Sequence, residues 1–171
     1  MDEYRLHPSL VTHWRNGGLE PWPEAEAATE TVWFPLPEED DGVRYWEGLN
    51  GRLSSDGSIT VLGVPAYAYN LHLGDRVTVV PSDNDSFVAT AIVERGGRIT
   101  FRFYLTDGSD QARWYPLAQE FALLGCLIDV LSPRFVAFSC EPNISETVSE
   151  RLEQLRQEGI LEYETGHTAA N

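Results

Sequence analysis

The sequence predicts an α+β protein: a small N-terminal β-barrel-like unit followed by a ferredoxin-like βαββαβ unit. Three observations carry this expectation. Residues 59–105 alternate strand-like runs with Gly, Asp and Asn turns, as in ITVLGVPAYAYNLHLGDRVTVV. Many short strands at turn spacing suit a small barrel or a strongly bent sheet. Beyond residue 105 the rhythm changes to helix, hairpin, helix and strand, which after the preceding strand is the split βαβ order. Finally, 171 residues with 42% hydrophobic and 11% aromatic content suffice for a packed core.

Taken in order, residues 1–30 read as a poorly ordered acidic N-terminal segment. GGLEPWPEAEAATE mixes Gly, Pro, Ala and Glu, and no basic residue stands between Arg15 and Arg44. Such a stretch buries little surface, although Trp14 and Trp22 offer docking points. Residues 31–97 form the barrel-like domain. TVWFPL is a strand stopped by Pro37 and the acidic EEDDG loop, and YWEGLNGRLSSDG is partly extended. SITVLGV, DRVTVVPS and SFVATAIVER are strands, AYAYNL is short and alternating, and Gly96-Gly97 turns the chain into RITFRFYL.

Residues 98–166 form the ferredoxin-like domain, and residues 167–171 are a tail. After the strand Arg98–Leu105, Asp107–Asp110 supplies capping residues for a helix with Tyr115, Ala118, Phe121 and Ala122 inside and Gly125 as its stop. Pro116 suits the first turn of that helix. CLIDVLSPRFVAFSCEP reads as a hairpin around Ser132-Pro133-Arg134, which sets Cys126 opposite Cys140, Ile128 opposite Phe138 and Val130 opposite Val136. All six side chains share one face, which belongs under the helices. The opposite face, with Leu127, Asp129, Phe135 and Ala137, is mixed and needs a cover. Asn143 and Glu146 have capping-box spacing. Val148, Leu152 and Leu155 form the buried stripe of the second helix, Gly159 ends it, and ILEYE is the last strand. The two cysteines are expected as buried, reduced thiols.

The succession VWFPLP, YWEGLNGRL, GVPAYAYNLHLGDRV, GGRITFRFYL, LLGCLIDV, RFVAFSCEP and GILEYETG resembles the bacterial family termed domain of unknown function 4265. The likeness spans roughly Thr31 to Gly166. It implies a two-part architecture and a bacterial cytoplasmic setting, and it supplies no reaction.

The formal net charge is −15. Nucleic-acid binding relies on Lys and Arg neutralising phosphates, so the charge disfavours it, as it disfavours an anionic membrane surface. Tyr104 and Phe135 could stack on bases, but Asp129, Glu162 and Glu164 would repel phosphate. All 12 basic residues are arginines, which excludes Schiff-base, P-loop and kinase-type lysines. No apolar run reaches the ~18–20 residues of a membrane span, and residues 1–10 lack signal-peptide character. The sequence therefore reads as cytoplasmic. Two separated cysteines and four scattered histidines form no zinc signature, and no catalytic or dinucleotide fingerprint is present; no cofactor or metal is expected.

The candidate ligand- or partner-binding residues are Tyr67, Tyr69, His72, Arg98, Arg102 and Tyr104. The tyrosines with His72 could line a pocket with an acid–base histidine; their ordinary reading is barrel-seam packing. Arg98 and Arg102 share a strand face with Thr100 and Tyr104, and they suit either an acidic ligand or ion pairs with Glu47 or Asp129. ERGGR could cradle an anion or be a simple hairpin turn. The segment Glu20–Asp41 holds eight carboxylates and no base, which suits a basic partner. The expected function is that of a non-enzymatic acidic binding protein recognising a protein or peptide partner, in an immunity or accessory role. The alternative is a small-molecule enzyme or ligand-binding protein with a pocket between the two domains. A deep cleft joining both arginines to His72 would favour that alternative; a filled junction would favour the binding protein.

Overall fold

The structure, a computed structural model, describes residues 1–40, 42–108 and 110–167. Its strands are β1 (Asp2–Leu6), β2 (Thr12–Arg15), β3 (Gly18–Pro21), β4 (Glu30–Pro35), β5 (Arg44–Leu53), β6 (Ile59–Val61), β7 (Arg76–Pro81), β8 (Phe87–Glu94), β9 (Ile99–Leu105), β10 (Leu127–Ser132), β11 (Phe135–Cys140) and β12 (Leu161–Thr165). Its helices are α1 (Pro23–Glu26), α2 (Trp114–Leu123) and α3 (Ser145–Gln157).

The first sheet has the order β1-β5-β4-β8-β7-β6, and an additional β5–β6 pairing closes its last five strands into a barrel. An antiparallel succession of five strands must close with first and last parallel, and β4 pairs with β8 in that sense. Val32, Phe34, Leu49, Ile59, Val61, Leu71 and Val77 fill the interior. Gly48 and Gly51 sit where larger residues would collide. A Cβ at Gly48 would lie 2.6 Å from the Trp33 ring, and one at Gly51 would lie 2.4 Å from Ile59.

The second sheet has the order β12-β9-β11-β10-β2-β3. Two helical crossovers, after β9 and after β11, place α2 and α3 on one face. Leu117, Ala118, Phe121 and Ala122 of α2 and Val148, Leu152 and Leu155 of α3 meet Phe103, Ile128, Val136 and Phe138 there. The hairpin pairs Ile128 with Phe138 and Val130 with Val136, as alternation demanded, but its register shifts between Val130 and Ser132, so that Ser132 pairs with Phe135 and the expected three-residue turn is shortened to Pro133-Arg134. Cys126 and Cys140 are buried and free under the helices. The other face of this sheet lies against the barrel through Leu127, Phe135 and Ala137 on one side and Val64, Ala66 and Leu73 on the other.

Several expectations are corrected. Residues 1–30 are not a poorly ordered tail; they form β1, β2, β3 and α1. β1 runs parallel to β5, while β2 pairs with β10 at Ile128↔Thr12, so the segment joins both sheets. Trp14 packs on the helix-side core and Trp22 on the core between the sheets. Such a segment gains its burial only from residues far along the chain, which composition does not register. Residues 66–71, short and alternating in sequence, form no strand, and the N–H groups of residues 66–68 serve a carboxylate described below. Tyr115 is 40% exposed, and Leu117 takes the inner position on α2. Pro142 opens a 3-10 turn, Pro142–Ile144, so α3 starts at Ser145 and the Asn143–Glu146 capping box does not form. Of the 167–171 tail, residues 168–171 lie outside the described residues.

Candidate functional site

Glu47, on β5, lies on the same strand face as the barrel-lining Leu49, opposite Phe34, where residues 66–68 and Asp129 of the second sheet come close, and is wholly buried. Its carboxylate accepts hydrogen bonds from the backbone N–H groups of Ala66 (2.5 Å), Tyr67 (3.1 Å) and Ala68 (2.7 Å). Three successive donors turned to one anion cannot also make a ladder, so this stretch wraps instead of pairing. His7, just past β1, places Nε2 2.7 Å from Glu47 and Nδ1 2.9 Å from Asp129 of β10. Asp129 also accepts from the Val64 N–H at 3.3 Å. Burial alone would lower the His7 pKa, but Asp129 and Glu47 outweigh it and raise it to about 10. Burial would raise Glu47; the His7 hydrogen bond and charge, with the Ala66 and Ala68 N–H groups, hold it below the usual carboxylate range. An imidazolium between two carboxylates thus ties the N-terminal segment to both sheets.

Arg102 is also fully buried. Its Nε donates to the Pro65 carbonyl (3.1 Å), one terminal nitrogen to Glu164 (3.1 Å) and the other to the Ala68 carbonyl, while the guanidinium lies 4.7 Å from the Tyr69 ring centre. A guanidinium supplies a fixed fork of donors, and here the fork pins the wrapped segment to β9. Tyr67, Tyr69, Arg102 and Tyr104 therefore do come together, around a hollow of about 320 Å³ that Arg5 also lines. Burial, with Glu164 nearby, pushes Tyr104 up to about 12, and burial also raises Tyr69 and Tyr67. These phenols stay neutral at physiological pH.

The remaining two candidates lie elsewhere. Arg98 donates to the Ser139 hydroxyl (2.8 Å) and carbonyl (3.1 Å) and pairs with Glu141. His72 is buried, with Nδ1 2.9 Å from the Thr100 hydroxyl and its ring 4.6 Å from that of His167. Burial, then the neighbouring His167, lower its pKa to about 4. The expected partners Glu47 and Asp129 thus belong to His7, and the two arginines pair with Glu141 and Glu164. ERGGR does hold an anion, an internal one: Asp75, which accepts from Gly96 N–H (2.8 Å) and Arg95 (2.9 Å). Gly96 has no room for a side chain, since its Cβ would sit 2.4 Å from the Gly74 carbonyl carbon. Among the described residues, no group of three or more His, Cys, Asp or Glu side chains is arranged to hold a metal ion.

A larger opening lies on the barrel itself. β4 pairs with β8 only at Val32↔Phe87 and Trp33↔Val88. Beyond that point the two strands separate around an apolar groove of about 560 Å³, lined by Phe34, Leu36, Leu71, Val77, Ala89 and Ile92 among others. The reason is in the sequence. The Leu36 N–H bonds Tyr45 of β5 at 2.9 Å, so by alternation residues 35 and 37 face β8. Both are prolines and have no N–H to offer. The seam opens where its donors run out. Of the groove lining, sequence reasoning had named Tyr69 as a site candidate but none of the apolar residues, although the prolines two apart and the apolar run FVATAIV were readable signals.

The fold is therefore a mixed α+β arrangement of a five-stranded barrel, open along one seam, joined to a helix-covered sheet. The chain belongs to DUF4265, a domain of unknown function, whose family model matches residues 47–163. A crystal structure of a hypothetical protein from Neisseria gonorrhoeae is similar, with a TM-score of 0.66 and 17% identity over 83% of this chain and 96% of that one. No curated protein matches. Among the described residues no helix is long and apolar enough to cross a membrane.

Proposed function

We propose that this protein is a non-enzymatic binding module that recognises a protein or peptide partner in a bacterial cytoplasm, in an immunity or accessory role. The observation that carries the reading is the open apolar groove between β4 and β8, in contrast to a junction where most polar groups already have partners. Glu47, His7 and Asp129 bond one another and buried backbone, and Arg102 bonds Glu164 and two buried carbonyls, while among the described residues Asp129 Oδ1 has no hydrogen-bond partner. The small-molecule alternative asked for Arg98, Arg102 and His72 in one cleft, and they have separate partners. The net charge of −15 favours a basic partner. The connectivity and order of β9–β12 with α2 and α3 also support reading the second unit as ferredoxin-like.

The test is panning of random linear peptides against the full-length protein, beside Ile92→Arg. Ile92 lines the groove and is 36% exposed, so the variant should keep its fold, checked by its melting temperature. Peptides enriched on the wild type and weakened about tenfold or more by Ile92→Arg are expected. No enrichment, or binding indifferent to the variant, overturns the reading.

A further inference from the structure

The edge of β8 narrows the kind of partner. β8 is hydrogen-bonded to β7 along its length, from Pro81↔Phe87 to Arg76↔Glu94. On its other side, among the described residues, β4 covers only Phe87 and Val88. Bulges at Thr90 and Val93 shift the pairing with β7, so between them, rather than in unbroken alternation, residues from Ala89 to Glu94 present N–H and C=O groups away from β7 with no strand to receive them. Natural proteins guard such an edge with proline, lysine, a short strand or bulges, of which β8 has the bulges. Here the prolines stand on β4, and β8 keeps the apolar run Ala-Thr-Ala-Ile-Val, with Ile92 36% and Val93 51% exposed.

We propose that β8 receives an extended segment of a partner protein as an added strand, filling the place that β4 vacates at Pro35. This rests on the groove-binding reading and specifies its mode. A pleated strand sends alternate side chains to one face, so every second residue of the occupant enters the apolar groove. The backbone edge supplies affinity, and the groove selects apolar residues at those positions. The rim sets the charge. Glu38, Glu39 and Asp40 follow Pro37, Glu38 and Glu39 bordering the neighbouring junction hollow, where Glu39 lies 3.8 Å from Arg5. β4 and β8 run parallel, so Glu94, held by Arg76, stands at the same end of the groove as these carboxylates. The occupant therefore carries Lys or Arg beside one end of its apolar core. A second copy of this chain does not fit, because two molecules of charge −15 would meet edge to edge.

The experiment uses a peptide enriched by the panning above, remade with single N-methyl groups at each backbone nitrogen. Loss of about tenfold or more at alternate positions, with near-wild-type affinity between them, is expected, because only every second N–H faces β8. Amide exchange of Ala89–Val93 should slow in the complex, and affinity should fall as salt rises. A peptide that binds in the groove with a flat or three-to-four-residue methylation pattern overturns the strand mode while leaving the groove reading intact. Absence of any enriched peptide overturns both, and a salt-resistant homodimer joined through β8 overturns the hetero-partner.

Discussion

Replacing His7 by alanine leaves Glu47 and Asp129 buried with no cation between them. Breaking a buried pair by removing one member costs about 3–5 kcal/mol, and chemical denaturation of His7→Ala should show a loss of that size. The pH dependence has a definite sign. The folded value of His7, about 10, lies above its ordinary 6.5, so its contribution is complete below about pH 6.5 and disappears as pH rises through about 10. Wild-type stability should fall across that window, and His7→Gln should flatten the fall. Glu47 has the opposite sign: its lowered pKa gives stability present above the ordinary carboxylate range and lost in acid. Gly96→Ala probes a different constraint. Its Cβ would meet the Gly74 backbone, which cannot swing aside, so a cost of about 1–3 kcal/mol is expected by thermal melting. His7 was invisible as a site residue because its partners stand 40 and 122 residues away; nothing local marks it.

At the level of elements, the β4–β8 seam can be closed by sequence. Pro35→Val with Pro37→Thr restores two donors facing β8. The pair should let β4 extend its ladder and slow exchange at Ala89–Ile92, and it should weaken the enriched peptides about tenfold or more by occupying their place. Unchanged exchange would show that the prolines do not hold the seam open. The β10–β11 register was legible because a short turn and strict alternation determine it, and Val148, Leu152 and Leu155 were legible because helical spacing does. The wrapped segment 66–71 was not, because AYAYNL alternates like a strand while three of its N–H groups go to Glu47. The start of α3 was misplaced because Pro142 supports a 3-10 turn as readily as the capping box suits Asn143. Four of six candidate site residues converge, since Tyr67 and Tyr69 lie close in the chain and Arg102 and Tyr104 share a strand face. The groove was missed because it arises where a pairing stops, and strand signals report where pairing occurs.

For the whole molecule, the stretch 1–30 is a tie between the two sheets. Deleting it removes β1 from β5, β2 from β10 and His7 from both carboxylates. The truncated chain is expected to lose its cooperative melting transition; a folded remainder with a sharp transition would show that the segment is dispensable. The same tie bears on biosynthesis. β2 and β3 can pair with each other at once, but Glu47 and Asp129 emerge 40 and 122 residues after His7. At the usual ~5–20 residues per second of translation, β1 and His7 wait several seconds or longer for their partners. Contacts so distant in the chain also make for slow closure. Residues 1–7 therefore stay exposed while their partners are being made, and a nascent-chain chaperone should engage them.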